Sequence, residues 1–332
     1  YVDGIGGHAF SNWHKEFGVN HPEWFAHVEG QPLKPVTRII SMCVSNPELH
    51  REIVRRWAEA RKNNPDKPLA INCCENDTPG ACACARCLSW DGPDRRFSFL
   101  GKKSEKNVGE RYARFYLEVW KLASQIDPDV KVYGYAYSNY IYAPANTKLN
   151  KSIMVAMVPP ADFPRTPEIE KELSDNLQGW IDSGATLNYR PNIFGGYAMP
   201  ENFVSQYYRE FQLMRQTGMK EIDIDGPNMS FATQGPFLYV MGRLLAYPDV
   251  KLAELLNEYY EAFGPAAGSV KKYWEYWHDY TIANADKFTE IPKLKNPLRF
   301  SSFFGFHYAF YAHELFPAES FEHARKLLAP AL

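Results

Sequence analysis

The sequence predicts an α/β protein of the (β/α)8 barrel type that is followed by a C-terminal helical region. Short apolar or β-branched runs alternate with amphipathic helical patterns over the first two thirds of the 332 residues, and this alternation is typical of parallel β/α units. No strand is followed by a glycine-rich phosphate-binding fingerprint, which favours a barrel over a doubly wound sheet. From Pro236 onward the strand patterns stop and helical patterns follow one another.

Six runs have the length and composition of strands. They cover residues 37–44, 69–75, 130–137, 152–158, 185–190 and 221–226. A complete barrel needs two more strands. We expect one of them to be the stub Val2–Ile5, or both to precede Tyr1, because the chain begins without an initiator Met.

The helix after Asn46 is the best defined by its sequence. Asn46 is a suitable N-cap, Pro47 stands at the first helical position, and apolar residues recur at helical spacing up to residue 63. Similar stripes predict helices over 108–126, 166–184 and 200–217. The stretch between the third and fourth strands has no helical pattern, so we expect an irregular crossover there. We predict a barrel domain over 1–248 and a helical region over 249–332.

Two pairs of carboxylates follow predicted strands, where the sites of barrel enzymes collect. Asp223 and Asp225 alternate with isoleucines and therefore share one face of their strand. Glu75 and Asp77 form an acidic tip after the strand 69–75. Such pairs indicate a glycosidase, which needs one protonated acid and one charged partner. The alternatives are that the last Asp of 221–226 caps the next element and that the acidic tip is only an Asx-turn.

Tyrosines and polar side chains at predicted strand ends are candidates for sugar binding, since tyrosine rings stack on flat ligands. Three tyrosines alternate along residues 133–137; we expect Tyr133, the deepest, to be a core residue. The predicted substrate-binding residues are His8, Asn12, Asn76, Tyr135, Tyr137, Asn139, Asn188 and Arg190.

The six cysteines have two interpretations. Cys82, Cys84 and Cys87 form a C-x-C-x-x-C motif that, with Cys43, could supply four thiolates to a structural zinc ion. Their even number and loop location also suit disulfides in an exported protein. We favour disulfides, and in either case expect a structural role and no catalytic cofactor.

The composition excludes several classes of partner. A net charge of -2, with scattered basic residues, provides no footprint for nucleic acid. No apolar run reaches the length of a membrane span, and no signal peptide opens the chain.

Several motifs together resemble domain of unknown function 4838, which overlaps glycoside hydrolase family 163. The matching segments are His21-Pro22-Glu23-Trp24-Phe25, Cys43 with Ser45-Asn46-Pro47-Glu48, Asn76-Asp77 before the C-x-C-x-x-C motif, Ala136-Tyr137, Tyr247-Pro248-Asp249 and Gly264-Pro265-Ala266-Ala267. The resemblance implies a TIM-barrel domain in secreted, periplasmic or cell-surface bacterial proteins that act as retaining endo-β-N-acetylglucosaminidases on N-glycans. Two positions depart from the family pattern: Asn188 stands where many members have Asp, and Ile224-Asp225-Gly226 stands where they have Glu-Gln-Gly.

Our first hypothesis is therefore a glycoside hydrolase that cleaves glycans at N-acetylglucosamine-containing linkages. Glu75 or Asp77 would act as the acid or steer the substrate acetamide, and Asp223 or Asp225 would be the second carboxylate. The alternative is a carbohydrate-binding barrel that has lost catalysis. A metal-dependent hydrolase would require a metal near His8 or Asp77.

Overall fold

The computed structural model describes residues 7–27, 40–67, 69–78, 82–93, 106–159, 164–192, 199–200, 202–225, 230–288, 291 and 312–331. The predicted strand stub Val2–Ile5 lies outside these residues. The chain divides into two compact units. The first consists of Tyr1–Pro159, Glu168–Pro191 and Met214–Asp223, and the second of Pro160–Pro167, Asn192–Leu213 and Ile224–Leu332. The predicted domain boundary after residue 248 stays a prediction.

The first unit contains a parallel sheet whose four strands follow chain order. The strands are β1 (Ile71–Asn72), β2 (Val132–Ala136), β3 (Ile153–Met157) and β4 (Thr186–Tyr189), and their order in the sheet is β1-β2-β3-β4. In a doubly wound sheet the order would reverse at a switch point. The protein is therefore a mixed α/β protein. Its four parallel strands lie side by side in chain order, without a reversal of that order.

Two of the six predicted strands are not regular strands in the structure, and the strand predicted over 69–75 is reduced to Ile71–Asn72. Residues 221–226 form no regular strand in their described part; Ile222 makes an isolated parallel bridge to Tyr189, next to β4. The strand predicted over 37–44 is wrong in its described part, where Met42 makes an isolated antiparallel bridge with Phe25. The closed eight-stranded barrel stays a prediction.

The helices of the described residues include those that the sequence patterns predict, together with short helices where none is predicted. They are α1 (Trp13–Phe17), α2 (Pro47–Asn63), α3 (Ala85–Ser89), α4 (Gly109–Ala123), α5 (Pro167–Ser183), α6 (Val204–Gln216), α7 (Phe231–Ala246), α8 (Leu252–Glu261), α9 (Ala267–Ala283), α10 (Ala312–Leu315) and α11 (Ala318–Leu328). None of the helices in the described ranges is both long enough and apolar enough to cross a membrane.

Helix α2 begins where the capping residue predicts. The side-chain oxygen of Asn46 accepts a hydrogen bond of 2.8 Å from the main-chain N–H of Glu48. This contact satisfies one of the donors that the first helical turn leaves unpaired. Leu49, Ile53 and Trp57 are buried along one face of the helix, as their spacing predicts.

Helix α4 is buried on more than one face at its start. Its predicted stripe is buried at Val108, Tyr112 and Phe115, but the neighbouring Glu110 and Arg111 are buried as well. Polar residues inside a fold must find hydrogen-bond partners. The prediction was wrong at the other end, because the helix ends at Ala123 and Ile126 is exposed.

The crossover between β2 and β3 is irregular, as predicted, and side chains hold it in place. The carboxylate of Glu110 accepts hydrogen bonds from the N–H groups of Ala145 (2.7 Å) and Asn146 (2.9 Å) and from the hydroxyl of Thr147 (2.5 Å). From α5, the amide oxygen of Asn176 accepts the N–H of Ala143 at 2.8 Å. These contacts replace the hydrogen bonds that a helix would have supplied internally.

Gly134 in the middle of β2 allows α4 to pack closely on the sheet. A Cβ atom at this position would lie 2.3 Å from the ring of Tyr116. The Tyr116 hydroxyl donates a 2.7 Å hydrogen bond to the carbonyl of Tyr135. The ring is fixed at both ends, so only glycine fits beneath it.

The second unit has its own aromatic core. Trp274 and Trp277 of α9 are buried in one cluster with Tyr260, Leu315 and Phe316. The helical region that the sequence predicts after the strands is therefore packed around tryptophan and tyrosine side chains.

Candidate functional site: the acidic tip, the strand ends and the cysteine set

Glu75 follows β1 and is completely buried, with an exposed fraction of 0%. One carboxylate oxygen accepts hydrogen bonds from the N–H of Met42 (3.0 Å) and the hydroxyl of Tyr112 (2.9 Å), and the other accepts the N–H of Asn76 at 2.7 Å. Burial raises the pKa of Glu75 to about 7, although all three hydrogen bonds act in the opposite direction. The side chain is enclosed by its donors and does not reach the surface.

The next two residues of the acidic tip, Asn76 and Asp77, differ in exposure. Asn76 is buried and its side-chain N–H₂ group donates to the carbonyl oxygens of Ile40 (2.7 Å) and Phe10 (3.3 Å). Asp77 is exposed, and its carboxylate accepts a 3.1 Å hydrogen bond from the Tyr137 hydroxyl beyond the end of β2. Of the two tip carboxylates, Asp77 is the one that a substrate can reach.

Arg190 and Asp223 form an ion pair beyond the end of β4. The guanidinium Nε lies 3.1 Å from a carboxylate oxygen of Asp223, whose side chain is 42% exposed. The same guanidinium lies 4.8 Å from the centre of the Tyr135 ring, a cation–π contact. The ring of His8 meets Tyr135 edge to face at 6.1 Å, while its Nδ1 is 2.6 Å from the carbonyl oxygen of Glu75. His8, Tyr135, Arg190 and Asp223 therefore form one connected group, which we call the strand-end group.

The structure adds one carboxylate that the sequence analysis missed. Glu221 accepts a 3.1 Å hydrogen bond from the side-chain N–H₂ group of Asn188, which is buried. The main chain of Tyr189 is hydrogen-bonded to both Glu221 (3.0 Å) and Asp223 (2.9 Å), so the backbone is extended there and the two carboxylates share a face. The same period of two that linked Asp223 to Asp225 could have identified it.

Three further candidate site residues, Asn139, Asn12 and Asp225, do not belong to the strand-end group. Asn139 is buried and donates to the carbonyl of Lys106, so it organises a loop. Asn12 is exposed at the start of α1 and makes no capping hydrogen bond. Asp225 belongs to the second unit, where it forms a parallel bridge with Asn192.

The four predicted metal ligands are brought together. The sulfur atoms of Cys43, Cys82, Cys84 and Cys87 all lie within 4.8 Å of one another. Cys43 is 3.6 Å from Cys84 and 3.8 Å from Cys87, whereas a disulfide bond measures about 2.05 Å. All six cysteines are free thiols, so the disulfide interpretation that we favoured is wrong.

Polar groups surround the sulfur atoms. The Ser45 hydroxyl lies 3.0 Å from the Cys87 sulfur, the N–H of His27 donates to Cys82, and the N–H of Cys87 donates to Cys84, each at 3.4 Å. Hydrogen bonds from the Cys43 and Cys87 thiols lower the pKa of Cys82 to about 3, and those with Cys82 and Cys87 raise that of Cys43. Cysteine binds metals in its thiolate form.

A buried ion pair attaches the cysteine loop to α4. The Arg111 side chain is 2% exposed and binds both carboxylate oxygens of Asp91, at 2.8 and 2.9 Å. A third guanidinium N–H donates to the carbonyl of Cys82 at 2.8 Å. Charge-assisted contacts of this kind have a fixed geometry, so the position of the loop follows that of the helix.

The motif matches are confirmed at the level of the family. A family model described as domain of unknown function (DUF4838) matches residues 1–275, which is most of the chain. The chain belongs to this family. No curated protein matches the sequence, and no solved structure does. Membership of DUF4838 agrees with the order of the motifs along the chain, and the overlap with glycoside hydrolase family 163 stays a prediction.

Proposed function

We propose that this DUF4838 protein is a glycoside hydrolase, built on a (β/α)8 barrel, that cleaves glycans at N-acetylglucosamine-containing linkages. The observation that carries the proposal is that two accessible carboxylates lie in the compact unit that holds the parallel sheet: Asp77 follows β1, and Asp223 is paired with Arg190 just beyond β4. Glycosidases use two carboxylates around the scissile bond. The sequential order of the four parallel strands supports the barrel.

The two carboxylates have different partners, which suggests different roles. Asp223 is paired with the Arg190 guanidinium, so it suits the charged role. Asp77 accepts a hydrogen bond from the uncharged Tyr137 hydroxyl, and we assign Asp77 as the general acid or as the group that steers the substrate acetamide. Glu75 is enclosed, so we assign it the role of holding the tip in place.

The surroundings of the carboxylates can bind a sugar. Tyr137 is half-buried and keeps part of its ring accessible, whereas Tyr135 is 1% exposed and has Arg190 against its ring. Tyr137 is therefore the better platform for a sugar ring. His8 and Arg190, which both contact Tyr135, supply donors for the hydroxyl groups of a sugar. Export from the cell is part of the same proposal and rests on the family resemblance alone.

The decisive experiment is glycan release by the 332-residue chain. N-glycoproteins and aryl glycosides of N-acetylglucosamine serve as substrates, and NMR identifies the anomer of the product. Asp77→Asn should lower the rate by at least about 100-fold while the circular dichroism spectrum is unchanged. Asp66→Asn, at an exposed position after α2, is the matched control and should retain full activity. Undiminished turnover in a folded Asp77→Asn variant would remove Asp77 from the mechanism.

A non-catalytic carbohydrate-binding protein is the second candidate. It is favoured by Ile224, which stands where the family pattern has Glu, and by the complete enclosure of Glu75. Binding of a glycan without cleavage from about pH 4 to about pH 8 would support it over the hydrolase. A metal-dependent hydrolase has less support, since the cysteine set is the candidate metal site among the described residues and includes neither His8 nor Asp77.

A further inference from the structure

We propose that Cys43, Cys82, Cys84 and Cys87 bind one zinc ion that has a structural role. The inference concerns this chain's own thiols and does not depend on the proposed hydrolase activity. Zinc prefers four ligands at the corners of a tetrahedron, with Zn–S distances of about 2.3 Å. A tetrahedron of that size has sulfur–sulfur edges of about 3.8 Å. The observed separations of 3.6 Å (Cys43 to Cys84) and 3.8 Å (Cys43 to Cys87) fit this geometry.

The compactness of the set indicates a single ion. All four sulfur atoms lie within 4.8 Å of one another. One metal ion at the centre satisfies that limit, whereas a cluster of two or more irons would hold its cysteine ligands further apart. The site is also closed, because four protein thiolates leave no coordination position for water or substrate. The ion would therefore support the fold and not the chemistry.

The surroundings are suited to thiolates. Cys43, Cys82 and Cys87 are buried at 5% exposure or less, and thiolate charge inside a protein needs hydrogen-bond donors. The structure supplies them in the Ser45 hydroxyl and in the N–H groups of His27 and Cys87. Such donors around the ligands commonly orient and stabilise them in metal sites.

Binding converts the thiols to thiolates. Zn²⁺ displaces one proton from each protonated thiol and forms four Zn–S bonds, and the displaced protons pass to solvent. No oxidant or reductant is required. The product joins three segments of chain: the loop at Cys43 that precedes α2, the segment at Cys82, and the start of α3 at residues 84–87.

The ion would also influence the acidic tip. Cys43 directly follows Met42, whose N–H donates to the buried carboxylate of Glu75. The Ser41 hydroxyl is hydrogen-bonded to the Thr78 hydroxyl at 2.6 Å. Fixing Cys43 therefore fixes both contacts between residues 41–42 and the tip 75–78. The zinc ion would therefore help to hold the acidic tip in position, although none of its ligands belongs to the strand-end group.

The test is the metal content of the 332-residue chain. After expression with zinc and gel filtration, mass spectrometry of the eluted metal should give about one zinc per chain. Cys84→Ser should lower this to less than about one tenth, since Cys84 is the most accessible ligand and serine is a poor replacement for thiolate. Cys74→Ser is the matched control, because Cys74 lies outside the set, and it should retain about one zinc.

Cobalt gives a second measurement that does not depend on the variants. Titration of the metal-free wild-type chain with Co²⁺ should reach saturation at one equivalent, with the absorption of tetrahedral thiolate coordination. Four reactive thiols that bind neither Zn²⁺ nor Co²⁺ would overturn the proposal, as would full zinc retention in folded Cys84→Ser. Iron in place of zinc after expression with both metals would overturn the identity of the ion.

Discussion

Glu75 should lower the stability of the folded chain as the pH rises from about 4.5 to about 7. Burial raises its pKa from 4.5 to about 7. Between these values the unfolded chain has lost the proton while the folded chain keeps it, so each step up in pH favours unfolding. Below about pH 4.5 both states are protonated, and above about pH 7 both are ionised. The loss of stability is therefore confined to this window and persists above it.

The expected magnitude follows from the size of the shift. A difference of one pKa unit corresponds to 1.36 kcal/mol, so a shift of this size lowers the free energy of unfolding by about 3 kcal/mol above neutrality. Glu75→Gln keeps the shape of the side chain and cannot ionise. The difference in unfolding free energy between wild type and Glu75→Gln should change by about 3 kcal/mol between about pH 4.5 and about pH 8, with wild type relatively more stable at the lower pH.

Urea unfolding at several pH values provides the measurement. Circular dichroism and tryptophan fluorescence should be recorded together, because a chain with two compact units must be shown to unfold in one step before free energies are compared. Glu118→Gln on α4 is the control, since its side chain is 40% exposed, and it should follow the wild-type profile. A difference between wild type and Glu75→Gln that stays constant within about 1 kcal/mol would refute the reasoning.

Two further substitutions test the packing around α4. Gly134→Ala should lower the free energy of unfolding by about 3 kcal/mol, because the added methyl group would overlap the Tyr116 ring; Gly242→Ala on α7, where nothing lies within 4 Å, should be neutral or stabilising in the same urea experiment. Glu110→Ala should remove about 2 kcal/mol and accelerate amide hydrogen exchange at residues 145 and 146, and unchanged protection there would contradict its role in the crossover.

The sequence predicts those helices and strands that are determined by residues close to one another in the chain. The Asn46 cap, the Pro47 that follows it and the stripe of α2 are all determined by residues within a few positions of one another. Alternation of side chains likewise predicts which face of a strand holds Tyr133 and Tyr135. Both tyrosines are buried in the structure, which agrees with the core role predicted for Tyr133 but not with the sugar-binding role predicted for Tyr135.

The sequence does not predict features that depend on distant partners. The run 40–44 is β-branched and apolar, yet in the structure it is a loop that brings Cys43 to the other thiols. The spacing of the cysteines could not distinguish a disulfide from a metal site, because both bring the same cysteines together in space and differ in the distances between their sulfur atoms. Glu75 is enclosed by donors that are 33 and 37 positions away, at Met42 and Tyr112.

The first turns of α4 also determine which parts of the protein can open independently. Successive residues in a helix point about 100° apart, so Glu110, Arg111 and Tyr112 reach three different segments: the crossover at 145–147, the cysteine loop at Cys82 and the tip at Glu75. None of these segments can leave its place without breaking a buried polar contact to the same helix. They should therefore unfold together, as one cooperative unit. Loops that are far apart in the sequence would then share a single opening free energy, which is set by the docking of one helix.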